Sequence, residues 1–236
     1  MGASAGRSAY DAYHAPRYEF LLRVLEKQGV GASSAVLDVG PSRLTSLIRE
    51  RLGARVDTLG FGEDRREAGH SHFGFDLNLA ASREGWRRDI PAYDAVVMAE
   101  VFEHLHTAPE LTLGFVRTLV GDGGLLVLQT PNAASLPKRV KLLLGRHPYE
   151  PLRADAMNPG HFREYTRKEL RALAERLGFT IEAESTSFYF DARFPHDEAG
   201  RSTGARPVFG AVKNLVYRTL PPPLREGITM VWRRAG

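Results

Sequence analysis

Apolar and polar positions along this chain switch between the spacing of an amphipathic helix and the short continuous run of a buried strand. The first helical pattern, over residues 17–29, places four apolar side chains on one face: Phe20, Leu21, Val24 and Leu25. Another begins at Thr166 with Glu169 three residues on, the spacing of a capping box. The same patterns predict helices over 42–53 and 109–124 and strands over 34–40, 54–61, 93–100, 125–132, 180–190 and 227–234.

Strands that alternate with helices of this length predict a mostly parallel, doubly wound α/β sheet with helices on both faces. We expect one domain over 1–236, with an N-terminal helical cover at about 8–30. Two long segments, about 133–161 and 191–223, are predicted to be surface insertions. Insertions after strand ends in such folds commonly build the substrate side, so we expect both to lie near a functional site.

The composition is that of an ordinary globular protein, with 43% hydrophobic and 25% charged residues among 236. No apolar run reaches the roughly 18 residues that span a bilayer. The first twenty residues lack the apolar core of a secretory signal. The chain has no cysteine, which excludes disulfides, thiolate zinc sites and a cysteine nucleophile. Together these features predict a cytoplasmic protein.

Positive charge is concentrated between residues 201 and 234, where seven basic residues face one acidic residue, Glu226, in a chain of net charge +4. This surface is either solvated or in contact with an anionic substrate, a lipid surface or nucleic acid. Because no nucleic-acid-binding motif accompanies the charge, we expect no nucleic-acid partner.

The same region holds an apolar stripe at helical spacing, formed by Val208, Phe209, Val212, Leu215, Val216 and Leu220. Two interpretations stay open. The helix packs on the sheet or on a partner subunit of a homo-oligomer, or it is a basic amphipathic helix over 208–220 that touches a membrane.

Five motifs occur in one order: VLDVG (36–40), FDLN (75–78), YDAVVMAEVFEHL (93–105), LVGDGGLLVLQTPN (119–132) and HFREYTRKELRALAERLGF (161–179). In this order they resemble the class I S-adenosylmethionine (SAM)-dependent methyltransferases over about residues 35–184. The resemblance implies a Rossmann-like seven-stranded sheet of order 3-2-1-4-5-7-6 with the last strand antiparallel. The segments DVGPSRLT, RVDTLGF and FDLN further resemble enzymes that methylate sugar hydroxyls.

SAM carries an amino acid, a sulfonium and an adenosine but no pyrophosphate, so a three-glycine anion loop is not required. Gly40 allows the backbone to pass against the ligand, and Pro41 suits the first turn of the next helix. Ser42 can cap that helix or donate to the cofactor carboxylate. By resemblance, Asp38 lies near the amino group of the methionine portion.

The resemblance also implies contacts for the rest of the cofactor. A ribose-binding carboxylate is expected about 20 residues after the first motif, but that position falls near Leu59 and Gly60. Three acids lie nearby, Asp57, Glu63 and Asp64, and the alternative is backbone at Gly60 and Phe61. Asp76 and Leu77 are expected at the adenine, and Ala99 and Glu100 at the methionine end.

Methyl transfer to an alcohol needs a group that takes the hydroxyl proton, a metal ion, or both. His104, His161 and His106 are candidate bases, and we place His104, His161 and Glu103 in the catalytic site. Glu100, Glu103 and His104 share one face if their segment is helical. Such a set suits Mg²⁺ or Mn²⁺, and a similar E-x-x-E-H arrangement binds a divalent ion in the related quinone O-methyltransferases.

These features predict a SAM-dependent O-methyltransferase that acts on a hydroxyl of a saccharide or glycosylated metabolite, with Mg²⁺ as a candidate second cofactor. The expected partner is a small-molecule or oligosaccharide acceptor. The alternatives are a methyltransferase for a lipid or quinone-type hydroxyl and a SAM-binding subunit without catalysis.

Overall fold

The computed structural model describes residues 9–155, 159–195 and 202–236. Within them the α-helices are α1 (Ala9–Lys27), α2 (Arg43–Leu47), α3 (Pro109–Leu119), α4 (Leu136–Leu143), α5 (Arg167–Arg176) and α6 (Pro207–Thr219). The strands are β1 (Ala35–Val39), β2 (Arg55–Gly60), β3 (Arg65–Glu67), β4 (His70–Gly74), β5 (Tyr93–Ala99), β6 (Val120–Pro131), β7 (Phe179–Ser187) and β8 (Gly227–Arg234). A π-helical turn over Ile48–Leu52 continues α2.

The strands form one sheet in the order β3-β4-β2-β1-β5-β6-β8-β7. The pairs from β4 to β6 are parallel, whereas β8 is antiparallel to both β6 and β7. This arrangement confirms the predicted order, with β8 inserted between the fifth and sixth strands of the family scheme. The count of seven is one too few, because the short strand β3 adds an antiparallel edge to β4.

Both faces of the sheet are covered, as alternation along β5 shows. Val96 and Met98 belong to the apolar core that includes side chains of α3 and α5, and Ala95 and Val97 belong to the core that includes side chains of α1 and α2. A strand buried on both faces reads as a continuous apolar run, which is why the central strands could be predicted from sequence.

Of two local predictions about helices, one is confirmed and the other is wrong about where the helix begins. The capping box of α5 is present, since the Thr166 side chain accepts from the Glu169 amide and the Glu169 carboxylate accepts from the Thr166 amide. Helix α1, in contrast, begins well before residue 17 and contains Pro16. Strands β3 and β4 were missed because their residues are mostly polar and lack an apolar run.

The two insertions hold α4 and α6, and parts of each, residues 156–158 and 196–201, lie outside the described residues. The apolar stripe of α6 does not pack on the sheet, because Val208, Phe209, Val212, Leu215 and Val216 are each more than half exposed. That part of the packing interpretation is wrong. Among the described residues, no helix combines the length and apolar character needed to cross a bilayer.

Candidate active site

The carboxyl end of β1 turns sharply at Gly40, whose φ of +74° is in the left-handed region that favours glycine. A Cβ atom at this position would lie 2.6 Å from Val101 Cγ2. The Gly40 amide donates to the Leu59 carbonyl at 2.8 Å, and Pro41 packs against Gly60. The first motif is therefore held close to the ends of β2 and β5, as a loop that cradles a ligand by its backbone requires.

Behind this turn lies the buried carboxyl group of Asp38. Its Oδ2 accepts a hydrogen bond from Thr45 Oγ1 at 2.5 Å. Ser42 caps α2 by accepting from the Leu44 amide and donates its own amide to Thr45. Burial raises the pKa of Asp38 to about 7, although the bond from Thr45 opposes the rise. The Asp38 carboxyl group is thus poised to ionise when a cation approaches.

Two of the three acids near the end of β2, Asp57 and Asp64, have structural partners. Asp57 is buried and accepts from the Tyr93 hydroxyl at 2.9 Å and from the Ser71 amide at 2.7 Å. Asp64 pairs with Arg87 and accepts from the Gly74 amide. Asp57 is thus occupied within the structure, whereas the side chain of Asp64 is 56% exposed. Glu63 is also exposed, and a ribose contact of either acid stays a prediction.

The alternative ribose contact is the backbone at Gly60 and Phe61, at the end of β2. The Phe61 carbonyl pairs with His72 Nε2 at 3.0 Å and keeps a second lone pair, and Phe61 is 56% exposed. The ribose contact stays a prediction.

Asp76 starts the turn that follows β4. Its Oδ1 accepts from both the amide and the side-chain nitrogen of Asn78, at 2.9 and 3.0 Å. Asn78 in turn accepts from the His106 amide, which ties this turn to the segment after β5. Leu77 is buried beneath the turn. One oxygen of Asp76 therefore has a structural role, and its contact with adenine stays a prediction.

At the end of β5, Ala99 is followed by Glu100, which has a left-handed φ of +57° although it is not glycine. The Glu100 amide donates to the Gln129 carbonyl. Its carboxylate lies 3.9 Å from Arg17 Nη1, a guanidinium that α1 carries into the interior. A bulky residue in this conformation is strained, and such strain is common at functional sites.

The group of potential metal ligands in the described residues consists of Glu103, His104 and His161, whose ligand atoms all lie within 4.8 Å of one another. Glu103 and His104 lie in a 3₁₀ turn, Phe102–His104, and the amide of Phe162 donates to the Glu103 carbonyl. That bond brings His161 against His104, with ring centroids 4.8 Å apart.

The expected set of Glu100, Glu103 and His104 assumed a helix, but the segment forms only one 3₁₀ turn. Glu100 faces Arg17, and the long-range neighbour His161 occupies the third position of the group.

Hydrogen bonds fix the tautomers of both imidazoles. His104 Nδ1 donates to the Gly160 carbonyl at 2.9 Å. His161 Nδ1 donates to Glu164 Oε1 at 3.0 Å, and Glu164 also pairs with Lys138. In each neutral ring Nε2 then keeps its lone pair, which can accept a proton or bind a metal ion.

Burial sets the protonation states of the group. It lowers the pKa of His104, and it lowers that of His161 to about 4 with neighbouring positive charges adding to the effect. Burial, followed by the charge of Glu100, raises the pKa of Glu103 well above its usual range. Glu103 Oε1 has no hydrogen-bond partner among the described residues. Both imidazoles are consequently neutral near pH 7, as a proton acceptor must be.

A cavity of about 250 Å³ opens beside His161, the member of this group that lines its wall. The first insertion and its flanks supply much of its wall, including Ser135, Lys138 and His161, and Glu100 and Glu226 complete it. Burial lowers the pKa of Lys138 to about 8. The wall thus combines carboxyl groups with an amine that exchanges protons near neutral pH.

Sequence reasoning missed four of the groups that shape this site: Arg17, Lys138, Glu164 and Glu226. The signal for Arg17 was present, because the charge interrupts the apolar face of a helix. Lys138, Glu164 and Glu226 come together at the cavity from separate segments of the chain, and no local sequence pattern predicts such contacts.

Comparison with known proteins identifies the fold. The sequence model of the family described as "Methyltransferase domain" matches residues 12–184. No curated protein matches the chain.

Three similar solved structures illustrate the likeness of fold. A SAM-dependent methyltransferase from Archaeoglobus fulgidus is 17% identical with a TM-score of 0.53, over 92% of this chain and 94% of that one. A Haloferax volcanii complex of the Trm112 methyltransferase activator with a proposed methyltransferase gives 12% identity and a TM-score of 0.61, over 95% and 90%. The 1,6-didemethyltoxoflavin-N1-methyltransferase of Burkholderia thailandensis, with S-adenosylhomocysteine bound, is 15% identical with a TM-score of 0.53. The match covers 98% of this chain and 80% of that one.

The family match covers well over half of the chain and includes β1, the turn at Gly40 and the segment after β5. The predicted contacts of Gly40 and Asp38 with the cofactor stay predictions. The chain belongs to the methyltransferase domain family, and it is a class I SAM-dependent methyltransferase.

Proposed function

We propose that this enzyme methylates a hydroxyl group of a saccharide or glycosylated metabolite, and that His104 takes the hydroxyl proton. The observation that carries the proposal is the state of His104: a neutral ring, held by Gly160 through Nδ1, with a free lone pair on Nε2. A hydroxyl of ordinary acidity cannot lose its proton unaided at neutral pH, so such an acceptor is what O-methylation requires.

The cavity supports a polyhydroxylated acceptor. Hydroxyl groups both donate and accept hydrogen bonds, and the wall offers carboxyl groups of Glu100 and Glu226 together with the amine of Lys138. His161, fixed by Glu164, lies next to His104 and can orient the reacting hydroxyl. Bound SAM supplies a methyl group on a positively charged sulfur, so the chain's task is mainly to position the acceptor and remove its proton.

A metal-assisted variant of this reaction is favoured by one observation. The buried Glu103 Oε1 has no hydrogen-bond partner in the described part of the chain and lies 4.0 Å from His104 Nε2. Burying an unpaired carboxylate is costly unless it is protonated or meets a cation. One carboxylate and two imidazoles suit Zn²⁺, Mn²⁺ or Fe²⁺ better than Mg²⁺, which prefers oxygen ligands. Such an ion would be held by Glu103, His104 and His161 and would acidify the acceptor hydroxyl. Because His104 Nε2 would then bind the ion, the hydroxyl proton would pass to water instead of His104.

The proposal is tested by release of S-adenosylhomocysteine with a panel of sugars, glycosides and phenols. We expect turnover with a saccharide and its loss when one hydroxyl of that acceptor is replaced by hydrogen, while other deoxy analogues stay active. Turnover on phenols alone would contradict the saccharide assignment, and tight SAM binding without turnover on any acceptor would indicate a non-catalytic subunit. Activity that resists EDTA would exclude the metal-assisted variant.

A pH dependence of cofactor affinity should follow from Asp38. The folded pKa is raised to about 7, so below that pH the carboxyl is neutral and cannot pair with the ammonium group of the methionine portion. Affinity for S-adenosylhomocysteine should therefore rise as the pH increases towards about 7, by roughly tenfold for each pH unit, and level off above it. Isothermal titration at about pH 5 and about pH 8 measures the difference.

The matched control is Asp38→Asn, which keeps the shape of the side chain but not its charge. The variant should bind with nearly equal affinity at both pH values, and the wild type should approach it at low pH. An affinity of the wild type that is independent of pH would remove Asp38 from the ammonium contact.

A further inference from the structure

Helix α6 packs in an unusual orientation, with its small and polar residues inward. A Cβ atom at Gly210 would lie 2.5 Å from the Arg193 amide nitrogen, so the backbones touch there. Asn214 is buried, accepts from the Ala192 amide at 3.0 Å and donates to Asp191 at 2.8 Å. These contacts fix the rotation of α6 about its axis and turn its apolar stripe to solvent.

Helix α4 adds a second set of exposed apolar side chains. None of its residues is buried, and Leu143 and Leu144 are 86% and 64% exposed. Nine of the fifteen exposed large hydrophobic side chains in the described residues lie on or directly after these two helices. We call this set the exposed apolar face; its members are Val140, Leu142, Leu143, Leu144, Val208, Phe209, Val212, Leu215 and Val216.

The two helices approach the same carboxyl group, at the cavity described above. Burial raises the pKa of Glu226, and the ammonium groups of Lys213 on α6 and Lys138 on α4 both oppose the rise. Glu226 and Lys138 line the cavity together. Lys138 on α4 and Lys213 on α6 therefore both lie near Glu226, at the wall of the predicted acceptor site.

The charged residues in the two chain segments that carry these helices are all positive. Residues 133–149 contain four basic and no acidic residues, and residues 202–225 likewise contain four basic and no acidic residues. On a helical projection, Lys213 and Arg218 flank the stripe of α6. Apolar side chains bordered by lysine and arginine match a bilayer surface, where the apolar groups enter the headgroup boundary and the cations meet anionic lipids.

We propose that α4 and α6 bind the surface of an anionic phospholipid bilayer through the exposed apolar face. A second copy of the chain fits less well, because like charges would then meet across the contact. An exposed apolar surface of this extent is itself a signal of an interaction site. The proposal is independent of the acceptor, since it concerns where the enzyme is held.

The test is co-sedimentation of the full chain with phosphatidylcholine vesicles and with mixed phosphatidylcholine–phosphatidylglycerol vesicles. We expect the chain to bind the mixed vesicles. Its affinity for vesicles without phosphatidylglycerol should be lower by roughly tenfold or more. Phe209→Ser/Leu215→Ser should lose roughly tenfold or more of the affinity. Arg146→Glu/Arg218→Glu should abolish the preference for anionic vesicles.

Matched controls separate this face from the general surface. Leu79, 61% exposed against 65% for Leu215, provides Leu79→Ser, and Arg66→Glu/Arg88→Glu repeats the change of charge outside both helices. Both controls should bind like the wild type. Absence of binding to mixed vesicles, or undiminished binding by the serine variant, would overturn the proposal. So would a dimer in sedimentation velocity that the serine variant converts to monomer, because the face would then join two copies.

Discussion

Replacing His104 by asparagine is expected to reduce turnover by a factor of about 100 to 10,000, the usual contribution of a positioned general base. Asparagine places its amide nitrogen where Nδ1 lies, so the bond to the Gly160 carbonyl can persist while the lone pair of Nε2 is lost. Affinity for S-adenosylhomocysteine should hardly change. Steady-state kinetics and isothermal titration measure the two effects separately.

His106→Asn is the matched control, because His106 lies two residues away and its exposed ring contacts Phe162 rather than the group of Glu103. Its turnover should stay near that of the wild type. Since burial lowers the pKa of His104, activity should be lost as the pH falls only below the usual value of about 6.5. Loss in His161→Asn with full activity in His104→Asn would assign the proton transfer to His161 instead.

Replacing Arg17 by methionine is expected to lower the free energy of unfolding by about 3 kcal/mol, as for other buried charges left without a partner. The side chain of Arg17 is 5% exposed, and that of its partner Glu100 is 16% exposed. Arg51→Met breaks the ion pair between Arg51 and Glu19, which are 42% and 44% exposed. That control should change the free energy of unfolding much less, because solvent screens an exposed ion pair.

The loss in Arg17→Met should grow with pH. Burial already raises the pKa of both Glu100 and Asp38, and the charge of Arg17 opposes the rise. Without Arg17 the folded carboxyls bind protons more tightly still, so stability falls further as the pH rises and they must ionise. Urea unfolding at about pH 5 and about pH 8 provides the comparison. Equal losses in Arg17→Met and Arg51→Met would show that Arg17 does not compensate the buried carboxyl groups.

Features of this fold could be predicted from sequence where they depend on residues close together along the chain. The capping box of Thr166 and Glu169 and the apolar runs of the central strands are local, and both were predicted correctly. Strand β4 has no apolar run of its own and is recognisable only through its pairing with β2. The orientation of α6 was also beyond reach, because it is decided by Gly210 and Asn214 against the segment 191–193.

The candidate site divides in the same way. The turn at Gly40 could be expected from the first motif, since its left-handed φ is a property of one residue. The meeting of His104 with His161 depends on hydrogen bonds to Gly160 and Glu103 across more than 50 residues. The interior position of Arg17 likewise depends on where α1 lies against the end of β5, which helical periodicity alone does not determine.

The position of β8 has a consequence for how the chain acquires its fold. Strand β6 pairs with β8 across a long stretch of sequence, and Gln129 bonds to Thr229, 100 residues further on. During synthesis, one edge of β6 must therefore wait unpaired until the ribosome has released residues 227–234. Contacts of such sequence separation slow folding, and an unpaired strand edge attracts other chains. We infer that β6 gains its second neighbour late in folding, so its free edge is a site where incompletely folded chains can associate.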